Sequence, residues 1–144
     1  MNAHLIVSID MKPSRTRMGL VDSRDGTVLE TVIFRTEKSD IDKLLMNIEY
    51  GIELFNAHRK SAQGAIGGIG FVWPIDSNGH GADSGFWRML DEDMLKNILE
   101  KRFSVPCRVE KEGQILVAAE TAYGAVGENA SMQGCAALFV HKDV

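Results

Sequence analysis

The residues of this chain best suited to chemistry gather near its beginning. His4-Leu5-Ile6-Val7-Ser8-Ile9-Asp10 leads into the basic turn Lys12-Pro13-Ser14-Arg15-Thr16-Arg17, and a second apolar run follows, Met18-Gly19-Leu20-Val21-Asp22. An aspartate at the mouth of a buried strand, facing a tight turn back into an antiparallel partner, is one way nucleotide-dependent enzymes present backbone N–H groups to phosphate. A nucleotide site is therefore the first hypothesis. Inside the turn, Pro13 lacks an N–H and fixes φ, while Lys12 puts a long side chain where a phosphate would sit. Lys12 and Arg15 can still attract an anion through their side chains; the alternative is a solvated basic hairpin tip.

Other reactive residues lack the spacing that chemistry needs. His4, His58, His80 and His141 are scattered, so neither a zinc site nor any other metal site is expected. Gly64, Gly67, Gly68 and Gly70 do not form the G-x-G-x-x-G dinucleotide fingerprint and suit close packing instead. Cys107 and Cys135 sit in apolar surroundings without CxxC spacing, as buried free thiols of a reducing compartment do. Glu110-Lys111-Glu112 alternates charge at the start of a helical stretch, where a solvated surface is one reading.

With 144 residues, 44% apolar and 25% charged, the chain can bury one real core but not two sizeable ones. Its formal net charge of -4 leaves no electrostatic footprint for nucleic acid. No run approaches the roughly 18 to 20 apolar residues that span a bilayer, and the N-terminus lacks signal-peptide zones. A cytoplasmic protein binding neither nucleic acid nor membrane is expected.

The elements that must position these residues alternate along the chain. Leu5 to Ile9 reads as a buried central strand, with further strands at Arg17 to Val21 and Val28 to Phe34. Asp25-Gly26 between the last two favours a hairpin turn with positive φ. Ser39 or Asp40 can cap a helix over residues 40–59, whose apolar positions recur at helical spacing. An apolar strand follows within Ala65 to Asp76, then a loop over residues 76–85. Asp91 opens a helix with Glu92 and Asp93 in its first turn and Lys101 and Arg102 in its last. Val105 to Val109 reads as a strand, Ile115 to Val126 as a third helix, and Cys135 to Val140 as a final strand. Right-handed crossovers make the later strands parallel to the first. The expected fold is therefore α/β, a ribonuclease H-like (actin-like ATPase) lobe with a five-stranded mixed sheet and helices on both faces.

Three segments resemble the ROK family (repressor, open reading frame, kinase) of sugar kinases and sugar-responsive transcription factors. The family hairpin D-x-G-G-T-K-x-x-x-G-L-V-D is similar to Asp10-Met11-Lys12-Pro13-Ser14-Arg15-Thr16-Arg17-Met18-Gly19-Leu20-Val21-Asp22. The family strand G-x-G-x-x-x-P-G-x-x-D resembles Gly68-Ile69-Gly70-Phe71-Val72-Trp73-Pro74-Ile75-Asp76. The segment P-V-x-V-E-N-D-A-N-A-A-A-L-A-E resembles Pro106-Cys107-Arg108-Val109-Glu110-Lys111-Glu112, continuing to Glu120. Order and spacing agree across nearly the whole chain.

The resemblance implies ATP, Mg and a sugar as ligands. It places Asp10, Lys12, Ser14 and Arg15 at the phosphates, with Asp10 holding a metal or its waters, although a turn-capping role fits that residue as well. It makes Glu112 the general base and sets Lys111 near the sugar. Glutamate in place of aspartate moves the carboxylate by about 1.5 Å, a displacement that can cost on the order of a hundredfold in rate. Lys111 is a donor only, where an amide both donates and accepts. With Lys12 and Pro13 on the two glycine positions, ATP and Mg lose the support of the first hairpin. The family's G-T-G-x-G loop, E-x-G-H segment and Cys-rich zinc site do not occur in this sequence.

Residues 1–134 thus read as a ROK-like N-terminal lobe and residues 135–144 as the start of a second lobe. Three functions follow: a sugar kinase lobe, catalytically weakened or inactive as it stands; a non-catalytic sugar-responsive regulator or sensor; or an interaction module using the terminal strand, with homodimers expected through that strand or through the second lobe. With no helix-turn-helix ahead of residue 5, direct DNA binding by this chain is not expected.

Overall fold

The structure, a computed structural model, describes residues 4–37, 40–59, 64–73 and 92–140. Strand β1 (Leu5–Met11) lies at the centre, buried along its whole length, as its unbroken apolar and β-branched run requires. It pairs antiparallel with β2 (Arg15–Asp22), which pairs antiparallel with β3 (Thr27–Arg35). On its other side β1 runs parallel to β4 (Ile66–Trp73), and β4 runs parallel to β5 (Cys107–Lys111). The order is β3-β2-β1-β4-β5, the five-stranded mixed sheet expected from the sequence.

Helices cover both faces. Leu5, Val7, Ile9 and Met11 of β1 pack against α1 (Ile41–His58) and α2 (Glu92–Phe103) through Leu44, Ile48, Phe55, Leu95 and Leu99. On the opposite face, Ile6 and Val21 meet Met132 and Ala136 of α4 (Ala130–Ala137), while Val72 meets Ile115 of α3 (Glu112–Tyr123) and Cys135. Strand alternation sends odd residues of β1 to one layer and even residues to the other. Asp10 therefore faces α4.

Local signals explain the element ends. Asp40 caps α1, its carboxylate accepting from the N–H groups of Asp42 at 2.9 Å and Lys43 at 3.4 Å. The Asp22–Gly26 turn closes with the Gly26 N–H donating to the Asp22 carbonyl at 2.8 Å, and Gly26 takes φ +79°. Helix α3 begins at Glu112 and stops at Gly124, left-handed at φ 66°, instead of spanning 115–126. Strand β5 begins after Pro106, later than expected, because proline cannot donate to the ladder. Ser39, Asp91 and the loop over residues 76–85 lie outside the described residues.

The clearest departure concerns Cys135 to Val140. The expected terminal strand is absent: Ala130–Ala137 is a helix, with Cys135, Ala136 and Ala137 buried in this lobe, and the boundary expected between residues 134 and 135 falls inside it. A short, wholly buried apolar run carries no periodicity to separate helix from strand. What decides is size. A Cβ at Gly134 would overlap the Ile115 carbonyl oxygen, so glycine lets α4 lie against α3. Gly134→Ala is expected to lower stability by about 2–3 kcal/mol, a drop in thermal midpoint on the order of 8 °C. Gly113→Ala, in open space on α3, is expected to raise it by about 0.5–1 kcal/mol. Thermal and urea melts of the two variants check both signs.

Candidate functional site

The site forms where the end of β1, the β1–β2 turn, the start of α3 and the first turn of α4 converge. Asp10 is 5% exposed. Its Oδ2 accepts a hydrogen bond from the Ser131 hydroxyl at 2.7 Å. One strand pleat earlier, the Ser8 hydroxyl donates to the Met132 carbonyl at 2.7 Å. These paired hydroxyl contacts dock α4 on β1. The Asp10 Oδ1 atom is buried without a hydrogen bond, and the Lys12 ammonium lies 3.5 Å from it.

The Lys12 ammonium also donates to Glu112 Oε2 at 2.7 Å. It therefore bridges two carboxylates, Asp10 from the end of a strand and Glu112 from the first turn of a helix. An acid at a helix N-terminus is itself favourable, since it faces the unpaired N–H groups. Burial pushes the Lys12 pKa down, but the Glu112 hydrogen bond and the charges of Asp10 and Glu112 outweigh it and hold the pKa above the ordinary 10.5.

The turn backbone is committed as well. The Lys12 N–H donates to the Arg15 carbonyl at 2.9 Å, and the Thr36 N–H donates to the Ser14 carbonyl at 3.2 Å. The Thr36 hydroxyl donates to the Lys12 carbonyl at 2.6 Å and lies 2.8 Å from the Thr16 hydroxyl. The Lys12 N–H is thus engaged within the turn and Pro13 has none, so two of its positions offer no backbone donor to an anion. A cation already stands between the carboxylates. A carboxylate pair bridged by an ammonium is not a donor set that suits Mg.

Of the residues singled out from the sequence, Asp10, Lys12 and Glu112 come together. Ser14 and Arg15 are exposed and line a groove with β3, and among the described residues their side chains make no hydrogen bond or ion pair to that cluster. Lys111 occupies the N-cap position of α3, exposed and without a side-chain cap, in a shallow depression with Gly113, Gln114 and Val117. Ser131 was not signalled by any motif, being one hydroxyl in a run of small residues. Arg17 was read only as part of a basic turn. Its guanidinium donates to the Glu128 carbonyl at 3.1 Å and to Asn129 Oδ1 at 2.8 Å, holding the approach to α4.

The remaining reactive groups are quiet. Burial pushes the Cys107 thiol up to about 12 and raises the Cys135 thiol too, so neither is a nucleophile near neutral pH. Among the described residues no three His, Cys, Asp or Glu side chains are grouped to hold a metal ion, and no helix is long and apolar enough to cross a membrane.

No protein-family model matches this sequence, and no curated protein matches it. Solved structures do. The chain is similar to a ROK family glucokinase from Streptomyces griseus, solved with glucose and AMPPNP, at 17% identity and TM-score 0.62, over 86% of this chain and 38% of that one. It is similar to an inorganic polyphosphate/ATP-glucomannokinase from Arthrobacter sp. strain KM at 20% identity and TM-score 0.60, over 86% of this chain and 50% of that one. A ROK family transcriptional regulator, a homolog of the E. coli MLC protein, aligns at 15% identity and TM-score 0.56, over 81% of this chain and 30% of that one. The fold is therefore that of one lobe of ROK proteins, as the sequence motifs imply, and this chain spans half or less of those structures' lengths.

The Lys12 bridge predicts a definite pH dependence. Lys12→Met leaves the buried Asp10 carboxylate without its counter-charge and is expected to cost about 1–2 kcal/mol at pH 7. Because the folded pKa of Lys12 is raised, its contribution is full below the ordinary lysine value and fades as pH rises through the folded one. Wild type and variant should converge once pH has risen through that raised value. Urea titrations across this range check the sign.

Proposed function

We propose that this chain is the N-terminal lobe of a ROK-like relative of the sugar kinases, in which phosphoryl transfer is weakened or lost. The observation that carries this reading is the Lys12 ammonium, 2.7 Å from Glu112 and 3.5 Å from Asp10. It occupies the space between the carboxylate aligned with the family's metal-side aspartate and the carboxylate aligned with its base. An ion pair there holds Glu112 as a partner for a cation, not as an acceptor for a hydroxyl proton.

On this reading residues 1–134, with the rest of α4, make up one half of a two-lobed cytoplasmic protein. Sugar recognition falls to the side of α3, with Lys111 at its rim. The second reading, a non-catalytic sugar-responsive regulator, is favoured by the same bridge and by the likeness to a solved ROK regulator. An interaction module built on a strand over Cys135 to Val140 loses its basis, since Cys135 to Ala137 end α4 and Leu138 to Val140 continue as turn.

The test is phosphoryl transfer from ATP–Mg to a hexose panel by the full-length protein, alongside calorimetric titration with each ligand. Hexose binding is expected with turnover at background, and Lys12→Gly/Pro13→Gly is expected to gain measurable ATP–Mg binding. Wild-type turnover in the ordinary kinase range of roughly 1–100 s⁻¹ would overturn the proposal.

A further inference from the structure

Strand β3 is an edge of the sheet, and among the described residues no strand pairs with its outer side. Its hydrogen-bonding phase is set by the Thr36 N–H, which donates to the Ser14 carbonyl at 3.2 Å. Counting back by two, Phe34, Val32 and Glu30 turn their main-chain groups toward β2, so Thr31, Ile33 and Arg35 turn theirs outward. An open row of N–H and C=O groups is a template for a further strand. Proteins guard such edges with proline, lysine or a bulge. The irregularity in this ladder falls between Leu20 and Val21, opposite Leu29, and leaves Glu30 to Arg35 in register without proline or lysine.

The side chains of that stretch define what fits against it. Val32 and Phe34 pack against the core on the α1 side, so alternation puts Thr31, Ile33 and Arg35 on the opposite face. Ile33, 52% exposed, lies across from Arg17, whose guanidinium is bound to neutral oxygens of Glu128 and Asn129. Arg35 is exposed and lies across from Arg15. In a chain of net charge -4, an uncovered apolar side chain is thus bordered by cations.

We propose that the outer edge of β3 takes up an extended segment of another protein as a sixth strand, one that carries an apolar side chain between acidic ones on the same face. Main-chain bonds to Thr31, Ile33 and Arg35 supply affinity, and alternate side chains supply selection. An apolar residue opposite Ile33 covers it, while an acid two positions along meets Arg35. A second copy of this chain fits worse. Two-fold pairing about Ile33 would add another Arg15, Arg17 and Arg35 to one continuous face, where like charges repel. The inference is independent of the reading of the Asp10 cluster, since Asp10, Lys12, Glu112 and Ser131 all lie outside β3.

The experiment is an NMR titration and hydrogen-exchange measurement on the ¹⁵N-labelled chain with the blocked peptide T-E-T-V-T-E-T, with T-K-T-V-T-K-T and oligothymidylate alongside. Saturable shifts and slowed exchange at the Thr31, Ile33 and Arg35 amides are expected with the acidic peptide. A form of that peptide N-methylated at alternate positions should bind about tenfold more weakly, having lost its main-chain donors. Arg35→Glu should weaken the acidic peptide about tenfold and favour the basic one. Thr31→Pro removes an outward N–H while leaving the bonds to β2, and should weaken both. Shifts centred away from β3, equal binding of the two peptides by the wild type, or tighter binding of oligothymidylate would overturn the inference. Exchange protection at these amides that grows with protein concentration alone would assign the edge to a second copy and overturn it too.

Discussion

A buried carboxylate that must find partners organises this lobe. Asp10 ends the central strand with almost no solvent contact, and an unpaired charge in that position would cost several kcal/mol. Ser131 satisfies one oxygen from the first turn of α4, and Lys12 stands beside the other from the turn that follows β1. Lys12 then reaches Glu112 at the start of α3. One side chain thereby fixes the relation of a strand, a turn and two helices, and each contact belongs to a different stretch of sequence.

The same arrangement sets the chemistry of this hairpin apart from its architecture. Catalytic groups need freedom to receive a ligand, whereas these groups are spent on one another. The glycine positions of the family hairpin hold Lys12 and Pro13, and the strand pairing around them is intact, with Asp10 opposite Arg17 and Met11 opposite Thr16. The Lys12 N–H is closed into the turn, and the Lys12 ammonium lies against Glu112 and Asp10.

Strand order, the central position of β1, the Asp22–Gly26 turn and the capping of α1 by Asp40 were readable from residue types, because each rests on local propensity or on continuous apolar runs. The meeting of Asp10 with Glu112 was readable only through the resemblance, since nothing local joins residues a hundred positions apart. Ser131 was not readable at all. A single hydroxyl among small residues looks the same whether it faces water or a buried carboxylate, and the surrounding run suits helix and strand alike. The apolar run through Val126 hides the end of α3, which Gly124 sets by turning left-handed.

The tight seating of α4 has a mechanical side. Gly134 rests on the Ile115 carbonyl, Gly70 on Cys135 and Gly19 on Met132, so the helix has no slack in any direction across the sheet. Its first turn is pegged to β1 by Ser131 and by the Met132 carbonyl. A tug on the polypeptide beyond Ala137 is consequently delivered, as through a rigid lever, to the oxygen atoms of Asp10.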